Sequence, residues 1–231
     1  MARIAVHGSA TRTVAPERGT VHLSVTVSGD SRSGVLADAQ RTHAAVTTLA
    51  QRYVDEGAAT RWTSPDVHAW AYTDWIPLPV ERGGGPGQQE QVTRYRAGAD
   101  VQVTFARLDA LGELIGSLAS LDDVDVVRLD WDLTDGTRAA LLREVRTEAS
   151  RDALARARDY AAALDLGEAR LVGLYEDGLH PGVPRPEGSH GGPAARMLAK
   201  ASAAEAGGFD LRPRDIEVTA EVTAELDAAG G

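Results

Sequence analysis

Five aspartates crowd a short stretch of the chain: Asp122, Asp123 and Asp125, then Asp130 and Asp132. Oxygen donors gathered this closely are what calcium or magnesium ligation requires. Alternate residues of a strand share a face, so Asp130 and Asp132 would point the same way. A solvated acidic sheet face accounts for the same five residues equally well, and we expect no metal site. The six histidines are scattered, with no His-x-x-x-His pair beside a glutamate as a zinc protease needs. His180 and His190 fall in a proline-rich stretch and would bind a metal only if an oligomer gathered several copies. Gly83-Gly84-Gly85-Pro86-Gly87 lacks the Gly-Lys-Ser/Thr and the following helix of a phosphate cradle. Gly188-Ser189-His190-Gly191-Gly192 lacks the spacing and strand-to-helix setting of a nucleophile elbow. No catalytic residue and no cofactor site is therefore expected. His68, Trp70 and Tyr72 are different, because aromatics at alternate strand positions mark either an interface or a face packed under a helix.

Composition narrows the chemistry further. The 231 residues include no cysteine, which removes thiol nucleophiles, disulfide frameworks and zinc–thiolate sites. Lys200 is the only lysine, so Schiff-base chemistry has one poorly placed candidate. The net charge of −10 opposes binding to nucleic acid as a main function. An apolar content of 43% belongs to a folded chain rather than a disordered one. No basic start followed by an apolar run resembles a signal peptide, and no stretch is long and apolar enough to span a membrane. The expected location is the cytoplasm, or an exported compartment if a leader precedes this sequence.

The elements that would position these residues follow from periodicity. Val21, Leu23, Val25 and Val27 alternate with polar neighbours, as do Ala97 to Phe105, Val127 to Leu133 and Ile216 to Leu226. Shorter strands are predicted at Ile4 to Ala10 and Leu171 to Tyr175, with an extended segment from Trp62 to Asp74. In that segment Val67, Ala69 and Ala71 would face one side, and His68, Trp70 and Tyr72 the other. Val35, Ala39, Thr42, Val46, Leu49 and Tyr53 form one helical stripe closed by Gly57. A short helix is predicted over Leu108 to Leu118 with Asp109 as its cap, and a long alanine-striped one from Thr137 to Leu164. Residues 76–91 and 178–213 hold eight of the ten prolines and are predicted as long loops, with an alanine-rich helix from Ala194 to Ala206 inside the second. Together these elements predict one α+β domain over 1–231: a mixed, largely antiparallel sheet, with two long helices and one short helix mainly on one face.

The order of elements and the residues at their joints resemble the SIMPL-domain family of bacterial and animal proteins. The resemblance rests on Ile4-Ala5-Val6-His7-Gly8, the turn Ala15-Pro16-Glu17, and Gly57 before Trp62-Thr63-Ser64. It continues through Tyr95-Arg96-Ala97, Val101-Gln102-Val103, Leu108-Asp109-Ala110-Leu111-Gly112 and Leu133-Thr134-Asp135, and ends with Ile216 to Val222. It covers residues 4 to 226. One departure follows the long helix, where Asp165-Leu166-Gly167-Glu168-Ala169 stands in place of the family's Gly-Leu-x-Leu-Gly. The resemblance implies a non-enzymatic protein that forms ring-like or cage-like homo-oligomers, with loose links to stress responses and protein interaction. It brings no catalytic residues.

Two expectations of function follow. The first is a self-assembling structural or protein-interaction molecule, a homo-oligomer larger than a dimer, with His68, Trp70 and Tyr72 as candidate interface residues. The alternative is a monomeric small-ligand binder or enzyme with a pocket near the 76–91 loop.

Overall fold

The two ends of the chain are laid against each other by their matching alternation. In the computed structural model, which describes residues 2–77, 89–179, 181 and 211–230, β1 (Ala2–Val14) pairs antiparallel with β7 (Ile216–Gly230) along its whole length, from Ala2 opposite Ala228 to Val14 opposite Ile216. β6 (Leu166–Glu176) flanks β7 on the other side, giving a three-stranded sheet ordered β1-β7-β6. The long helix α3 (Asp135–Ala163) covers this sheet. Its stripe of Ala149, Ala153, Ala157 and Ala161 packs against Ile4, Val6, Val222, Ala224 and Leu226. Alanine on the helix is matched by glycine on the strand: a Cβ added at Gly8 would lie 2.3 Å from the Ala149 carbonyl oxygen. Thr134 caps the helix by accepting the Thr137 N–H at 3.2 Å. The Asp152 carboxylate accepts the Ser9 N–H at 3.0 Å and meets Arg156 at 2.9 Å, and these partners hold its pKa below the ordinary carboxylate range.

A second compact unit comprises β2 (Arg18–Gly29), α1 (Arg32–Asp55), β3 (Ala59–Pro77), β4 (Gln89–Phe105), α2 (Asp109–Leu118) and β5 (Val124–Asp132). Its sheet is ordered β3-β4-β2-β5, with every neighbouring pair antiparallel. Val21, Leu23 and Val25 of β2 and Val101, Val103 and Phe105 of β4 form one face of its core. Val46, Ala50 and Tyr53 of α1 and Leu111, Leu114 and Leu118 of α2 form the other. Each large side chain buried this way contributes about 1.5–3 kcal/mol, so burial rather than helix propensity holds the two helices in place. Tyr53 meets Phe105 edge-on with ring centroids 5.4 Å apart. Ser31 caps α1 through the Gly34 N–H at 3.3 Å, and Gly57 ends it with a φ of 70° that side chains with a Cβ rarely adopt.

The α+β class and, among the described residues, two long helices and one short one are as the periodicity predicts. The strands, however, divide between two sheets, and neither is mixed. The reason lies in β4: the crossover β2–α1–β3 runs those two strands in the same direction, but β4 inserts between them and converts both contacts to antiparallel pairs. Strand pairing extends into both ends of the predicted 76–91 loop, as far as Pro77 opposite Gln89, and the rest of that prediction lies outside the described residues. Asp109 does not cap α2. The Ncap position belongs to Leu108, and Asp109 sits inside the first turn beside Arg107 at 3.5 Å, which lowers its carboxyl pKa. The helix expected at Ala194 to Ala206 and most of the 178–213 segment lie outside the described residues.

Candidate functional site

The candidate site grows out of a break in β3. Between Thr63 and Asp66 the register with β4 slips, at Ser64-Pro65, and a bulge of this kind re-aims the strand beyond it. Proline at this position is tolerated because β3 is an edge strand, with a partner on one side only among the described residues. Past the bulge β3 and β4 run on as a regular ribbon, from Asp66 opposite Asp100 to Pro77 opposite Gln89. Its odd-numbered β3 positions share a face with Ala97 and Ala99, the core side on which α1 packs. The even-numbered positions share a face with Ser28, Arg96 and Gly98, away from α1 and α2.

His68, Trp70 and Tyr72 stand together on that second face. His68 and Trp70 rings lie 4.9 Å apart, and the Arg96 guanidinium sits 5.9 Å from the Trp70 ring and 5.3 Å from the Tyr72 ring. Arg96 is held by donating from Nε to the Ser28 hydroxyl at 2.9 Å. Opposite His68 stands Gly98, where an added Cβ would lie 2.4 Å from the Val25 carbonyl oxygen and 2.9 Å from the imidazole Nε2, so glycine makes room for both. One register position further, Arg94 opposite Tyr72 pairs with Asp30 and lies 3.7 Å from Asp74. The result is a ladder of aromatic rings with the Arg96 guanidinium beside two of them, a cation–π arrangement that stiffens the ribbon. Of the two sequence-based readings of the trio, packing beneath α1 or α2 is not what the structure places there.

The opposite face of the same ribbon carries residues that the sequence reading missed. Val67 is 73% exposed and Trp75 59%, and Ala69 and Ala71 between them are also exposed. Trp70 on the ladder face is 43% exposed. Among the described residues, apolar side chains therefore border an unpaired edge on both faces, with the Pro65 bulge and Pro77 blunting only its two ends. In the sequence Arg96 stands out only as part of Tyr95-Arg96-Ala97. The signal for its role is the glycine run: counting outward from Gly83 sets Trp70 opposite Arg96.

Elsewhere the chemistry is ordinary. Asp130 is occupied by His22 at 2.9 Å and Arg128 at 3.1 Å, and the Asp123 carbonyl accepts the Thr26 N–H at 2.9 Å in a turn where Asp123 has a φ of 65°. Among the described residues no group of three or more His, Asp or Glu side chains is arranged to hold a metal ion. Ser64 and His43 meet at 3.0 Å, but the serine hydroxyl donates to the Asp100 carbonyl at 2.9 Å. With its proton committed there, Ser64 ties α1 to the bulge rather than serving as a nucleophile. His180, His190 and both glycine runs lie outside the described residues. No helix among the described residues is long and apolar enough to cross a membrane.

The joint residues noted in the sequence now have structural places. Gly8 admits α3 to β1, Tyr95-Arg96-Ala97 carries the ladder, and Ile216 to Val222 pairs with β1. The family model for SIMPL, a protein of unknown function (DUF541), matches residues 4–226. The chain belongs to the SIMPL family. The SIMPL match runs through every element from β1 to β7 and so includes both sheets. No curated protein matches the sequence.

Proposed function

We propose that this SIMPL-family chain is a non-enzymatic, self-assembling protein with a structural or protein-interaction role, working as a homo-oligomer larger than a dimer. The observation that carries this reading is the outer ribbon of β3, an edge strand with Val67, Trp70 and Trp75 exposed along it. An open edge with apolar flanks gains by pairing, and closed symmetric assemblies allow that without unlimited growth. The single lysine of the chain, Lys200, lies outside β3, so the edge lacks the residue most often used to keep such strands apart. The charge of −10 per subunit works against association, so assembly should strengthen with added salt. Light scattering behind a size-exclusion column at low and high salt tests the proposal. A discrete species several times the 24.4 kDa chain mass is the expected result. A monodisperse 24.4 kDa species at both salt concentrations would refute it.

A further inference from the structure

The partner of the β3 edge is legible in the strand itself. We infer that β3 pairs antiparallel with β3 of a second copy across a two-fold axis at Ala71, joining two four-stranded sheets into one; this rests on the self-assembly reading and specifies its contact. A two-fold axis normal to the sheet keeps each face on its own side, so only registers centred on a residue are available. Pro65, in the bulge, and Pro77, the last residue of β3, offer no N–H to a neighbouring strand. They bracket the regular edge, and the residue midway between them is Ala71.

The side chains agree with that centre. Centred on Ala71, His68 falls opposite Asp74 of the second copy, Trp70 opposite Tyr72, Val67 opposite Trp75, and Ala69 opposite Thr73. Each match is of the kind that stabilises cross-strand neighbours: opposite polarity for one, two aromatic rings for another, apolar surface for a third. The adjacent registers lose this. Centring on Trp70 sets Asp66 against Asp74, two like charges, and centring on Tyr72 sets Trp70 against Asp74. Val67, Trp70 and Trp75, all exposed, each gain a cross-strand neighbour in the Ala71-centred pairing, and the ladder of His68, Trp70, Tyr72 and Arg96 continues across the axis. A contact of this kind uses only one edge of the second sheet, so assemblies beyond a dimer require another contact as well.

The absence of cysteine makes the register directly measurable. Directly opposed residues of antiparallel strands have Cα atoms roughly 4.5–5.5 Å apart, within reach of a disulfide. Ala71→Cys would therefore meet its own counterpart, whereas Ala69→Cys would lie roughly 14 Å from its counterpart. Under mild oxidation Ala71→Cys is expected to cross-link roughly tenfold faster than Ala69→Cys or Thr73→Cys alone. An equal mixture of Ala69→Cys and Thr73→Cys should cross-link to each other. All three positions are exposed, so folding is checked by an unchanged circular dichroism melt. If light scattering finds an assembly but Ala71→Cys cross-links no faster than the two control positions, this pairing is wrong and self-assembly survives. If light scattering finds only monomer, both fall.

Discussion

Gly8→Ala should be among the most damaging single-methyl additions the chain can receive. The added Cβ would stand 2.3 Å from the Ala149 carbonyl oxygen, 2.5 Å from the Ala153 nitrogen and 2.7 Å from the Ala153 Cβ. Two of these three atoms belong to the α3 backbone and cannot rotate aside. Relief requires α3 to lift from β1, opening gaps along Ile4, Val6 and the alanine stripe, all of which are buried. Overpacking of a tight core costs about 1–3 kcal/mol, and a backbone clash belongs at the upper end, about 3 kcal/mol. For a chain of this size that corresponds to a fall in melting temperature of roughly 6–12 °C. Circular dichroism is the appropriate readout, because all four tryptophans (Trp62, Trp70, Trp75 and Trp131) lie in the unit built on β2 to β5. Removing the Ala153 methyl as well should not rescue the variant, since the Ala149 oxygen remains in place. A Gly8→Ala protein within about 0.5 kcal/mol of the parent, or full rescue by Ala153→Gly, would show that the close approach of α3 to β1 is not what this glycine serves.

Gly116→Ala is the converse case: nothing lies within 4 Å of its added Cβ inside α2, so it should stabilise by about 0.5–1 kcal/mol in denaturant unfolding. Asp152→Ala removes a carboxylate whose folded pKa is lowered by the Ser9 N–H and by Arg156. A lowered folded pKa stabilises above the ordinary carboxylate range and is lost as pH falls through it, so the gap between parent and variant seen at neutral pH should close in acid; a gap independent of pH would contradict the assignment. Treatment with a chelator should leave the melting temperature unchanged, and a large fall would place an ion at the Asp122–Asp132 stretch or the His180 and His190 segment.

Why the elements were readable and their arrangement was not follows from what alternation encodes. The pattern Val21-Leu23-Val25-Val27 states that one face of a strand is buried, and that face is indeed the core of the second unit. It does not state which strand lies alongside. β1 and β7 are joined across nearly the whole sequence, and β4 enters between β2 and β3, so neither sheet could be assembled from local spacing. The helices were easier, because Val35, Ala39, Val46 and Tyr53 specify both the period and the buried side. The ribbon of β3 shows the boundary most clearly. Its alternation was visible, but exposure of Val67 and Trp75 breaks the rule that one face of an alternating strand is buried. The strand outruns the helix packed on its first half, and only a count outward from Gly83 to the Tyr95-Arg96-Ala97 triplet would have revealed how far the pairing extends. Apolar residues kept on both faces of an edge make sense when the edge has a partner. The two prolines equidistant from Ala71 and the His68–Asp74 match are what the proposed pairing with the same strand of a second copy rests on.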